Sequence, residues 1–243
     1  MLIRTLKAER MKLRRSPVWL AFVLLPLLSA FFGTFNYLQN QGILQKGWYD
    51  LWTQQTLFLC FFFQPALIGV YCAYLYRLEH TNRNWNAVMT VPVPVTLLYL
   101  AKLASAFLMV LLTQAWSGLL IFVSGKLCGL SSPMPTEFYS YLAYGALGGL
   151  TVCAVQLFLS LIIRSFAVPV GISLIGGVAS MFAMSKGYGL LWPYALADIG
   201  MRANNPEGSL PCTPEQLVAS CILFLLLFAA LSVLLLKKRD VQA

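Results

Sequence analysis

Six apolar runs, each long enough to cross a bilayer, take up most of this chain: Val18 to Phe35, Leu57 to Tyr76, Thr96 to Val123, Phe138 to Ile163, Phe166 to Met184 and Leu217 to Leu236. A transmembrane helix needs roughly 20 mainly apolar residues, because the hydrocarbon core is roughly 30 Å thick. Lipid offers no partner to a bare peptide group, so such runs must be helices. The chain is therefore expected to be an all-α membrane protein: a channel, carrier, enzyme or receptor. Its 10% of charged residues falls far below the roughly 25% of a soluble domain. Residues 1–243 read as one membrane domain with no linker.

The net charge of +9 raises nucleic acid as a partner, but its distribution points to a membrane. Arg4, Lys7, Arg10, Lys12, Arg14 and Arg15 precede the first run, and Lys237, Lys238 and Arg239 follow the last. A basic excess beside spans marks the cytoplasmic side. With both termini inside, Arg77, Arg83, Lys102 and Arg164 also fall inside, and only Lys46, Lys126, Lys186 and Arg202 fall outside. The expected location is the cell membrane, and the plain use of the charge is attraction to anionic lipid. No A-x-A-type cleavage site follows Val18 to Phe35, so that run reads as a retained span rather than a leader.

Between Met1 and Arg15 no helix breaker occurs, and Leu2, Leu6 and Leu13 share a narrow stripe at helical spacing. This suits an amphipathic helix on the inner leaflet, anchored by its six basic residues; the plainer alternative is a solvated basic tail. Trp48, Tyr49 and Trp52 fit an aromatic belt at headgroup height. Gly145 and Gly149 form a G-x-x-x-G pair, a packing face for close helix approach. Only Arg164-Ser165 joins the fourth and fifth runs, which predicts a tight antiparallel pair. Leu190 to Leu196 is too apolar for a free loop and too short to cross, so it reads as a helical or re-entrant element at the outer face. Cys128 and Cys212 fall in outer loops, where an oxidising compartment would allow them to pair. With one His and no C-x-x-C, a His-based zinc site has no ligands.

One inward-facing stretch stands apart, from Tyr76 through Glu79, Arg83 and Trp85 to Val91-Pro92-Val93-Pro94, with Lys102 just inside the next run. It predicts a polar turn, a short helix from about Thr81 to Met89, and a linker stiffened by prolines that bias the preceding residues away from helix. Such a rigid elbow is something a soluble partner can push against.

This pattern resembles the ABC-2 type transporter permeases, whose second and third spans are joined by a Glu, a Trp a few residues later, a Pro, and a Lys inside the next helix. Glu79, Trp85, Pro92 or Pro94, and Lys102 are the matching positions. The basic N-terminal helix, six spans and a Trp-Pro element before the last span extend the resemblance to the whole layout. Size and elbow look most like the lantibiotic-immunity permease subunits. The resemblance implies a permease without its own ATP site, paired with a second permease subunit, either itself or a sister. Together they would dock on a pair of cytosolic ABC ATPases, which hold ATP and Mg, and the elbow would serve as the coupling helix. It implies removal of antimicrobial peptides from the membrane; another amphipathic drug or lipid-like substrate, or a non-transporting sensor or scaffold, stays open. No G-x-x-x-x-G-K-[ST] phosphate loop occurs in the chain.

Gln64, Gln114 and Gln156 lie inside apolar runs. They are candidates, with Trp192, for lining a substrate path, or else for bonding between helices. No acid sits deep in a run, which argues against ion coupling. An intramembrane enzyme would need paired acids, H-E-x-x-H or Ser with His; the sole His80 has no such set around it, so no catalytic residue is expected. Glu79 and Lys102 read either as a structural pair at the inner interface or as coupling residues.

Overall fold

The computed structural model describes residues 1–81, 85, 90, 92–207 and 212–238. These are helical with no strand among them, and six of the helices are long and apolar enough to cross a membrane. The fold is an all-α membrane bundle.

A short helix α1 (Leu2–Arg14) leads through Ser16-Pro17 into the first long helix, α2 (Val18–Gln39). The second crossing is longer than the apolar run predicts. It begins at Trp48 as α3 (Trp48–Phe58), widens into a π-helical turn over Leu59–Phe63 and continues as α4 (Gln64–His80). Pro65 explains the turn: a proline has no N–H for the carbonyl four residues back, here that of Phe61, and its ring crowds it. The chain returns as α5 (Val95–Leu127), α6 (Glu137–Ile162) and α7 (Ala167–Ser185). A 3₁₀ turn, Gly189–Leu191, and a buried six-residue helix α8 (Ala195–Gly200) precede the last crossing, α9 (Pro214–Lys238). Thr213 and Gln216 cap α9 reciprocally, each side chain bonding the other's backbone N–H.

Leu13 of α1 and Leu236 of α9 belong to one core cluster with Leu75, Tyr76 and Tyr99. The end of α1 and the end of α9 therefore lie at one face, called basal here. A second cluster, built on Trp48, Trp52, Phe138 and Met201, closes the opposite, apical face.

Two expectations are corrected. Trp48 and Trp52 are 3% and 0% exposed and form no lipid belt. The indole of Trp52 donates to the Met201 carbonyl at 3.0 Å and packs on Phe138, so these rings are core. The link, Ile163 to Phe166 in the structure, fixes only the ends of α6 and α7, which diverge beyond it. The main partner of α7 is α4, and that of α6 is α8. Small residues explain this choice. A Cβ on Gly177 would meet Pro65 Cγ at 2.4 Å, and one on Gly148 would meet the Ala197 backbone at 2.4 Å. Gly145 and Gly149 likewise face Met201 and Val110 within the chain. On α1 the residues buried against the bundle are Thr5, Glu9 and Leu13, while Leu2 is exposed, as a leaflet-facing residue would be. Cys128 and Cys212 are free thiols, and Cys212 packs beside Cys221, Leu196 and Leu217.

Candidate functional site: a buried charge cluster at the basal face

Three elements meet where the elbow leaves the bundle. The end of α4 supplies Glu79, the second turn of α5 supplies Lys102, and α1 supplies Glu9 and Lys12. Lys102 Nζ lies 2.5 Å from Glu79 Oε1 and 3.2 Å from each oxygen of Glu9. It also donates to the Leu75 carbonyl at 2.8 Å. Lys12 Nζ reaches the same Glu79 oxygen at 2.6 Å and Glu9 Oε1 at 2.7 Å. Two acids and two lysines thus alternate and cancel. Glu9, Glu79 and Lys102 are each no more than 3% exposed. Charges this deep persist only when paired and hydrogen-bonded, because the loss of hydration costs several kcal/mol per ion.

The Lys12 ammonium feels opposing influences. Burial pushes its pKa down, but Glu79 and Glu9 outweigh this and leave it raised. Lys102 also sits 4.6 Å from the Tyr76 ring centroid, a cation–π contact that adds to its hold. Tyr76 in turn stacks with Trp85 of the elbow, at 5.9 Å and 28°. The Trp85 indole N–H donates to His80 Nδ1 at 3.2 Å, and His80 Nε2–H donates to the Ser160 carbonyl of α6 at 2.7 Å. These two bonds fix the neutral Nε2–H tautomer. Trp85 is thereby tied to α4, and through His80 to α6.

The sequence-derived residues divide accordingly. Glu79, Trp85 and Lys102 come together. Pro94 is extended and caps the start of α5, its carbonyl accepting from the Leu97 and Leu98 N–H groups, while Pro92 is exposed. Arg83 and the helix expected from Thr81 to Met89 lie outside the described residues, apart from Thr81 and Trp85. Arg4, Lys7, Arg10, Arg14 and Arg15 are exposed on α1. Lys12 is not a lipid anchor: it points inward to the two carboxylates. Of the intramembrane amides, Gln156 donates to the Tyr194 hydroxyl at 2.6 Å. Gln64 and Gln114 are buried without a protein hydrogen-bond partner, beside Gly149 and Gly145 respectively. Trp192 lies apically and donates to the Gly176 carbonyl at 2.9 Å.

Two residues escaped sequence reasoning. Glu9 had one signal, as the lone acid between Met1 and Arg15. Asp198 had none, since α8 lies outside every apolar run. It is fully buried, accepts a hydrogen bond from Ser180 Oγ, and has one oxygen without a partner. Burial pushes its carboxyl well above the ordinary range, with the Ser180 bond opposing.

A bundle of six helices long and apolar enough to cross a membrane, gripped at one face by a buried charge cluster, defines a polytopic membrane protein. Residues 5–180 match the sequence profile described as ABC-2 family transporter protein, and the chain belongs to that family. It is thus a membrane transport subunit. No curated protein matches the chain.

Proposed function

We propose that this chain is the permease subunit of an ATP-driven exporter that expels lantibiotic-type antimicrobial peptides from the membrane, conferring immunity or resistance. ATP and Mg reside in a pair of cytosolic ABC ATPases docked at the basal face, and a second permease subunit completes the membrane unit. The basal face is cytosolic, so both termini are inside.

The observation that carries this reading is the neutral quartet Glu9–Lys12–Glu79–Lys102. It clamps both roots of the elbow, the end of α4 and the start of α5, to α1. A displacement of the elbow by an ATPase is then transmitted to α4 and α5 as rigid levers. Through the Gly177–Pro65 contact, α4 carries α7 with it. The family membership and the basic basal face support the same assignment. The peptide substrate rests on the resemblance in the elbow and on chain size.

The test is coexpression with the partner ATPase in cells challenged with a lantibiotic such as a nisin-type peptide. The expected outcome is co-purification of the ATPase and a raised inhibitory concentration of peptide. An ATPase that co-purifies without any protection would overturn the peptide assignment while leaving the permease assignment intact.

A further inference from the structure

Beside the charge cluster, on the far side of α4, the ends of α4 and α6 and the start of α7 enclose a cavity of about 230 Å³. Holding one water takes only ~10–15 Å³ of such space. Its walls include Arg77, Thr81, Ser160, Arg164, Ser165 and Phe166, and none of its lining residues is acidic.

Several features of different origin converge there. Arg77 comes from α4 and Arg164 from the α6–α7 link, and among the described residues neither forms an ion pair. The 19-residue helix α7 begins at the cavity wall, just after Phe166, and brings the positive end of its dipole with it. Ser160 is 2% exposed and its hydroxyl has no protein partner, so a buried donor faces an otherwise basic chamber. The Arg77 guanidinium lies 5.8 Å from the Phe166 ring centroid, which preorients its planar fork. At the rim, Ile162, Phe166 and Val168 are apolar and exposed, as lipid-facing residues are.

We propose that this cavity binds the phosphate headgroup of an anionic phospholipid from the basal leaflet. Arg77 and Arg164 grip the phosphate oxygens, Ser160 donates to one of them, and an acyl chain lies along the apolar rim. Paired arginines suit phosphate because their fixed forks donate in parallel, and basic pockets between spans on the cytoplasmic side recognise such headgroups. Free phosphate shares the chemistry, but it has no use for the apolar rim. The inference goes beyond export and takes from the proposed function only the side on which the basal face lies.

Native mass spectrometry of the purified full chain, titrated with phosphatidylglycerol, phosphatidylcholine or inorganic phosphate, tests it. One tightly held phosphatidylglycerol is expected, bound preferentially over phosphatidylcholine and resistant to excess phosphate. In an Arg77→Gln, Arg164→Gln double variant its affinity should fall about 30-fold, at ~1 kcal/mol for each arginine. Both residues are exposed at the surface, and the single Arg164→Gln variant in the interhelix link should fold unchanged and bind several-fold more weakly. Arg4→Gln on α1 should bind as the wild type does. Displacement by inorganic phosphate, equal retention of phosphatidylcholine, or unaltered binding by the arginine variants would each overturn the site. None of these readings depends on transport.

Discussion

Lys102 balances two carboxylates whose other cationic partner is Lys12. Replacing Lys102 with Met leaves Glu9 and Glu79 buried beside each other with only the partly buried Lys12 between them, and removal of one partner from a buried pair costs about 3–5 kcal/mol. Thermal unfolding in detergent should show this loss for Lys102→Met. The Glu79→Gln, Lys102→Met double variant should lose less than the sum of its parts, since the residues share one network. Lys12 has a pH signature. Its folded pKa is raised, so its contribution is fully present below the ordinary lysine value of about 10.4 and is lost as pH rises through the raised value. The melting-temperature gap between wild type and Lys12→Met should stay constant to that ordinary value and then close. Asp198 runs the other way. Its folded carboxyl holds the proton above the ordinary Asp value of about 3.9, so wild-type stability falls as pH rises from there, whereas Asp198→Asn has no such loss. Melting curves at rising pH should find the Asn variant increasingly the more stable of the two.

Among the elements, contacts follow small residues rather than chain neighbourhood. A Cβ on Gly33 of α2 would stand 2.5 Å from the Gln55 backbone of α3, whereas one on Gly171 of α7 meets nothing within 4 Å. Gly33→Ala should therefore cost about 1–3 kcal/mol as an overpacked contact. Gly171→Ala should be neutral or gain up to about 1 kcal/mol of helix propensity; chemical denaturation of the two variants checks the pair. The same physics explains what the sequence disclosed at this scale. Hydropathy revealed the crossings because lipid demands long apolar runs. It hid the extension to Trp48 because Thr53, Gln54, Gln55 and Thr56 dilute the pattern, yet these residues are hydrogen-bonded within α3 or to α2. Gln55 donates to Thr34 Oγ1 at 2.9 Å and Asn36 to Gln54 at 2.6 Å. The length of a connection could not reveal that α7 leaves α6 for α4, because that choice depends on Gly177 meeting Pro65. The leucine stripe of α1 suggested a leaflet-facing side, but it could not disclose the bundle-facing side, which an ion pair between Glu9 and Lys102 sets.

For the whole molecule, the central feature is that the basal elbow is anchored at both roots and at Trp85. Glu79 and Lys102 stood out in the sequence as charges at span ends. Their partnership with α1 required the fold, because Glu9 and Lys102 are 93 residues apart in the chain, with all of α2, α3 and α4 between them. Such an arrangement transmits force only if the elbow moves with the bundle. The most direct test reconstitutes the permease with its partner ATPase in liposomes and follows ATP hydrolysis and peptide release together for wild type and Trp85→Ala. The account predicts that the variant still assembles and hydrolyses ATP but releases at least about tenfold less peptide per ATP, a loss of about 1.4 kcal/mol of coupling. Release per ATP equal to that of the wild type would contradict it.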